Sequence, residues 1–149
     1  HYKNAEKLDP KIIEGYKEAI QGYEKLRNKN GYGLFWNAII KAKEKVQKEL
    51  ILKVALNDEF VTPCTAGNLS YVGMEDGSIK ACEILPDTIG NIYKEKIKNI
   101  YNNKKSKSLR NEIVKSKCRC TYECAMSTNS LFNFDQQKVL LKQTLKDIL

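Results

Sequence analysis

The sequence contains no apolar run that approaches the length of a bilayer-spanning helix. Its first residues, His1-Tyr2-Lys3-Asn4-Ala5-Glu6, lack the apolar core of a secretory signal. A membrane partner is not expected, and the expected compartment is cytoplasmic. There is no internal repeat and no low-complexity tract, which excludes solenoid and linker-like architectures. No regular succession of strand and helix patterns runs along the chain, so a self-contained α/β barrel is excluded. The cysteine count is odd, at five. Without a secretion signal, that argues against a disulfide scaffold and for a reducing compartment with metal ligation. The first residue is not methionine, and the chain is expected to belong to a longer polypeptide.

What is present fits one domain, or one small domain with a helical extension, in 149 residues. The net charge of +8 is concentrated. Between residues 94 and 120, Lys94, Lys96, Lys98, Lys104, Lys105, Lys107, Lys115 and Lys117, with Arg110 and Arg119, outnumber Glu95 and Glu112. A basic run of this kind can serve nucleic acid. Here no helix-turn-helix, finger or RNA-recognition signature stands beside it, and only Tyr93 and Tyr101 interleave rings with the cations. It reads as a solvated helical face, and nucleic acid is not expected as a partner.

The N-terminal part carries two helical patterns. Asp9-Pro10 is a start signal, because Asp caps and Pro suits the first helical position. Ile12, Ile13, Tyr16, Ala19, Ile20, Tyr23 and Leu26 then recur on one face, and Asn30-Gly31 is a stop. A second helix from about Leu34 presents Phe35, Ala38, Ile39, Ala42, Val46, Leu50 and Val54 on its apolar side. The aromatic stripe Tyr16, Tyr23, Phe35 and Trp36 is read as core or interface. Asn57 to Pro63 breaks the composition and marks a boundary. The expected division is a helical connector over residues 1–60 and a second domain over residues 61–149.

Beyond the boundary, residues 69–74 and 78–84 are strand-like, with Asp76-Gly77 as a two-residue hairpin turn between them. That register sets Tyr71 opposite Cys82 and puts Leu69, Tyr71, Cys82 and Ile84 on one face. Pro86-Asp87 and Gly90-Asn91 read as turns. Short helices are expected over 93–102 and 107–116, a loop over 118–124, and an extended or turn segment over 129–134. Asp135 is the expected cap of a last helix carrying Val139, Leu140, Leu145 and Ile148. The expected fold class is α+β: an N-terminal helical segment, then a small β-hairpin with short helices.

All five cysteines lie between Thr62 and Cys124: Cys64, Cys82, Cys118, Cys120 and Cys124. Soft thiolates select iron–sulfur clusters, zinc or cuprous copper. Cys64 and Cys82 flank the hairpin, and three more fall within seven residues as Cys-x-Cys-x-x-x-Cys. Five scattered structural cysteines do not account for that bunching. Paired short spacings on both sides, as a zinc ribbon has, are missing.

Cys64-Thr65-Ala66-Gly67, the Glu75-Asp76-Gly77 turn, Ala81-Cys82-Glu83-Ile84-Leu85, Ile89-Gly90-Asn91-Ile92 and the Cys-x-Cys-x-x-x-Cys loop occur in this order. With Tyr122-Glu123-Cys124 and Leu131-Phe132-Asn133, the series resembles the C-terminal SPASM/twitch domain of radical S-adenosylmethionine enzymes over residues 60–134. The resemblance implies one auxiliary 4Fe–4S cluster that relays electrons or helps bind a peptide or protein substrate. It also implies an N-terminal radical S-adenosylmethionine barrel in the same polypeptide, and S-adenosylmethionine bound only there. A full SPASM domain has seven cysteines and two clusters, so five here favour the single-cluster twitch form. Cys64, Cys82 and Cys124 are the expected ligands, with Cys118 and Cys120 as alternatives for the remaining position. Ser127 stands where a Cys-x3-Cys-x2-Cys core starting at Cys120 would place its third cysteine, so the catalytic core is absent and no catalytic residue is assigned. The alternative function is a structural zinc-binding interaction module.

Overall fold

The computed structural model describes residues 9–27 and 33–148. Its elements in chain order are α1 (Pro10–Arg27), α2 (Leu34–Asn57), β1 (Val72–Gly73), β2 (Ser78–Lys80), β3 (Thr88–Asn91), α3 (Ile97–Asn102), α4 (Lys104–Lys115), α5 (Glu123–Leu131) and α6 (Phe134–Ile148). The class is α+β, helix-rich with one small antiparallel sheet. Among the described residues no helix is long and apolar enough to cross a membrane. The described residues form two compact units, one from those up to Thr62 together with those from Arg119 on, the other from Pro63–Cys118. The first crossing, at 62/63, lies in the composition break at Asn57 to Pro63. The second, at 118/119, falls inside the Cys-x-Cys loop.

In the helical unit, α1 starts as its sequence dictates: the Asp9 carboxylate accepts from the Lys11 N–H at 2.8 Å, and Pro10 takes the first position. The stop expected at Asn30-Gly31 lies outside the described residues. α2 is the central helix, and α1, α5 and α6 all pack on it. Val46, Leu50, Ile51 and Val54 of α2 form a core with Met126 of α5. Tyr16, Val61 and Leu140 pack against that core. Of the aromatic stripe, Tyr16 reaches the core, whereas Phe35 and Trp36 are 58 % and 60 % exposed and meet each other edge to face.

Two expectations fail in this unit. Residues 129–131 are not extended, because α5 runs to Leu131 and buries Asn129 and Ser130. Asp135 does not cap α6. Asn133 does, its side-chain oxygen accepting from the Asp135 and Gln136 N–H groups at 3.0 and 3.1 Å. Asp135 instead lies in the first turn, where its charge favours the positive end of the helix dipole.

The other unit is a three-stranded sheet in the order β1-β2-β3, with α3 and α4. Ile79, Ala81, Leu85, Ile89, Ile100, Leu109, Ile113 and Ala66 make one core. Gly90-Asn91 is not a turn but the end of β3. A Cβ on Gly90 would lie 2.7 Å from Ile100 Cγ1, so the bare glycine lets α3 pack its fully buried isoleucine onto β3. The Asn103 side chain caps α4 by accepting from the Ser106 N–H at 2.7 Å, while its amide donates to the Ile89 carbonyl at 2.8 Å.

Candidate metal centre

The hairpin that carries Cys82 differs from the expected one by a single residue of register. The pairs are Val72↔Lys80 and Gly73↔Ile79. Met74 accepts from the Gly77 N–H, the Met74 N–H donates to Ser78, and Gly77 has φ +78°. The loop is therefore the three residues Glu75-Asp76-Gly77, a turn closed by a left-handed glycine, rather than a two-residue mirror-image turn. The Asp76 carboxylate accepts from the Ser78 N–H and hydroxyl at 2.9 and 2.6 Å. These bonds hold its carboxyl below the usual range. Because a one-residue slip exchanges the faces of a strand, Tyr71 and Cys82 are not cross-strand partners. The strands are also shorter than 69–74 and 78–84, and Cys82 lies in the bend after β2.

Cys82 still has apolar company. It packs against the core of its unit, and its Sγ accepts from the Leu85 N–H at 3.4 Å. Cys64 packs against the same core from the other end of the hairpin. The backbone beside it is tied down: the Thr65 carbonyl accepts from the Asn68 and Leu69 N–H groups, and the Gly67 N–H donates to Ser70. The Gly67 carbonyl accepts from the Tyr71 hydroxyl and, at 3.4 Å, from Arg110 Nη1. The Arg110 guanidinium lies over the Tyr101 ring at 4.3 Å. Burial raises the Tyr71 phenol above its ordinary value, and Arg110 partly offsets this.

Cys118 reaches that core by a helix-ending motif. Lys117 is left-handed, at φ +49°. Its N–H donates to the Val114 carbonyl, and the Cys118 N–H donates to the Ile113 carbonyl. This is the Schellman arrangement, which turns the second residue past the helix back onto its last turn. Three thiols from three separate segments, Cys64, Cys82 and Cys118, thus pack against one core.

Cys120 and Cys124 belong to the helical unit. The loop before them is anchored by Arg119, whose Nε donates to Asp58 Oδ1 at 2.7 Å and whose Nη2 pairs with Oδ2. Asp58 is the left-handed cap of α2, and the bond from Arg119 depresses its carboxyl. Cys124 is exposed in the first turn of α5. Its neighbour Glu123 accepts from the Tyr16 hydroxyl at 3.2 Å through its side chain and from Gln47 Nε2 at 2.8 Å through its carbonyl. The sequence does not announce the anchors Arg110, Tyr101, Asp58 and Gln47. Arg110, Asp58 and Gln47 act across 43, 61 and 76 residues, and Tyr101 meets Arg110 only because α3 and α4 pack together, so no local pattern signals these contacts.

The donor chemistry of the five thiols suits a soft metal or an iron–sulfur cluster. Among the described residues, no three His, Cys, Asp or Glu side chains form a group able to hold a metal ion. What the fold does bring together is the set of Cys64, Cys82 and Cys118 on one apolar core. No protein-family model matches the chain, and no curated protein or solved structure matches it.

Proposed function

We propose that this chain is an auxiliary iron–sulfur module of the twitch type, part of a radical S-adenosylmethionine enzyme whose catalytic barrel precedes it in the same polypeptide. It works in the cytoplasm. Cys64, Cys82 and Cys124, with Cys118 or Cys120, would hold one 4Fe–4S cluster. When bound, the cluster supplies a one-electron relay or an anchor for a peptide or protein substrate. The observation that carries the reading is the packing of Cys64, Cys82 and Cys118 against a single apolar core. An apolar surround limits solvent access to a cluster, and an N–H donor on a sulfur, as Leu85 provides to Cys82, tunes its potential. The chain's own residues hold the ligand segments: Arg110 and Tyr71 fix the Cys64 loop, the Schellman turn fixes Cys118, and the Arg119–Asp58 pair fixes the loop before Cys120.

The test is anaerobic reconstitution with iron and sulfide, followed by metal and acid-labile sulfide analysis. Iron with sulfide is expected, and single Cys64→Ala, Cys82→Ala and Cys124→Ala variants are expected to lose most of both. Cys118→Ala and Cys120→Ala are expected to differ from each other. Zinc bound without sulfide would replace this reading with the structural zinc module.

A further inference from the structure

The basic run of the sequence becomes, in the structure, an ordered stripe on α4. Ser106, Leu109 and Ile113 are the buried side of this helix. Lys104, Lys107, Asn111 and Lys115 recur at three- and four-residue spacing on the opposite side, all exposed. Over the eleven steps from Lys104 to Lys115 the stripe runs about 16 Å. It carries no carboxylate: Glu112, the acid of this helix, lies on the flank and has a partner of its own. Among the described residues no ion pair engages Lys104, Lys105, Lys107 or Lys115. No acidic residue occupies the first turn of α4, so its lysines add to a helix end that is already positive. This charge is concentrated and unbalanced within the unit.

We infer that the exposed lysine stripe of α4 is a docking surface for an acidic helical segment of another protein. Three observations favour a polypeptide over a nucleic acid. The cations of the stripe are all lysines, compact point charges that suit single carboxylates, whereas the planar fork preferred for phosphates is spent internally: Arg110 is held by Tyr101 and Gly67. Stacking platforms beside the stripe are few as well: of the tyrosines described in residues 63–118, Tyr101 has a face covered by Arg110 and the Tyr93 ring lies against Gly77. Finally, Val114, on the Lys107 side of α4 two turns further on, is 62 % exposed, an apolar contact that fits a side chain of a partner helix. The stripe is defined by residues of α4 alone.

The probe is a fluorescein-labelled helical peptide of Glu-Glu-Leu-Ala repeats, titrated with the full chain and read by anisotropy at low and at physiological salt. Its Gln-for-Glu counterpart, a single-stranded RNA and a duplex DNA are run in parallel. Binding to the acidic peptide that weakens with salt is expected. A Lys104→Glu, Lys107→Glu, Lys115→Glu triple variant is expected to lose about tenfold or more in affinity. A Lys53→Glu, Lys142→Glu, Lys146→Glu triple variant makes the same change in net charge on exposed residues of the helical unit and is expected to lose little. Circular dichroism checks folding: Lys104→Glu suits the start of α4 and Lys115→Glu opposes the dipole in its last turn, so the first variant is expected to melt close to the parent. A Gln version of the α4 triple, expected to show a smaller loss, serves if the Glu version does not fold. Three results overturn the proposal: no binding at low salt, equal loss in both Glu triples, or tighter binding to RNA or DNA than to the peptide.

Discussion

Gly77 meets two constraints at one Cα. Its φ of +78° lies where a side chain is strained, and a Cβ there would stand 2.6 Å from Tyr93 Cε2. Gly77→Val therefore combines backbone strain with a ring that must move, and the expected loss is about 3 kcal/mol in urea denaturation. An unchanged midpoint would mean that the hairpin does not close this way. Tyr16 gives a pH signature. Burial first, then the charge of Glu123 and its hydrogen bond, push the phenol from 10.0 up to about 12. The folded chain keeps this proton where the unfolded chain has begun to lose it. The contribution to stability is complete below pH 10, and it is lost as pH rises toward 12. In Tyr16→Phe, the fall of melting temperature across that window is expected to be shallower than in the parent. Identical slopes would remove Tyr16 as the source.

At the scale of elements, the end of α4 shows how a local motif delivers a functional side chain. Lys117 occupies a left-handed position usually taken by glycine. Lys117→Gly is expected to raise stability by about 1 kcal/mol, because the strain of a Cβ in that region is relieved. A thermal scan that shows destabilisation would mean that the Lys117 side chain contributes more than its backbone costs. The hairpin teaches the converse. Asp-Gly was legible as a turn and glycine as its left-handed residue, but the number of loop residues, which sets the register, was not. Two- and three-residue loops share this dipeptide, and the choice is made by Ile79 entering the core while Gly73 pairs with it.

At the scale of the whole molecule, the cysteines belong to two units, with Cys118 ending one and Cys120 lying in the other. The chain is expected not to cleave S-adenosylmethionine reductively, even with a cluster installed. That reaction needs a pocket that holds the cofactor against an iron left open for it, and the sequence places Ser127 where such a core would need its third cysteine. Anaerobic incubation with S-adenosylmethionine and dithionite, followed by chromatography for 5′-deoxyadenosine, is the assay. Multiple turnovers above a no-protein control would overturn the proposed division of labour.

The sequence by itself determined the helices whose apolar residues repeat with the helical period: Ala38, Ala42, Val46, Leu50 and Val54 of α2 are all buried as their spacing requires. It also determined the start of α1 at Asp9-Pro10, since capping acts within a few residues. Among the candidate ligands it singled out all five cysteines, but it did not show which of them share a core. Tertiary structure alone decided β3, whose Thr88-Ile89-Gly90-Asn91 has turn-like residues and becomes a strand only because β2 offers an edge and Ile100 needs the space at Gly90. It decided that Asn133 rather than Asp135 caps α6, because α5 persists to Leu131 once Met126 enters the core of α2. It decided, too, that Cys64, Cys82 and Cys118 pack on the same apolar residues. Periodicity and caps are short-range and can be read along the chain. A shared core is made of contacts distant in sequence, whose energies appear only when the segments have packed.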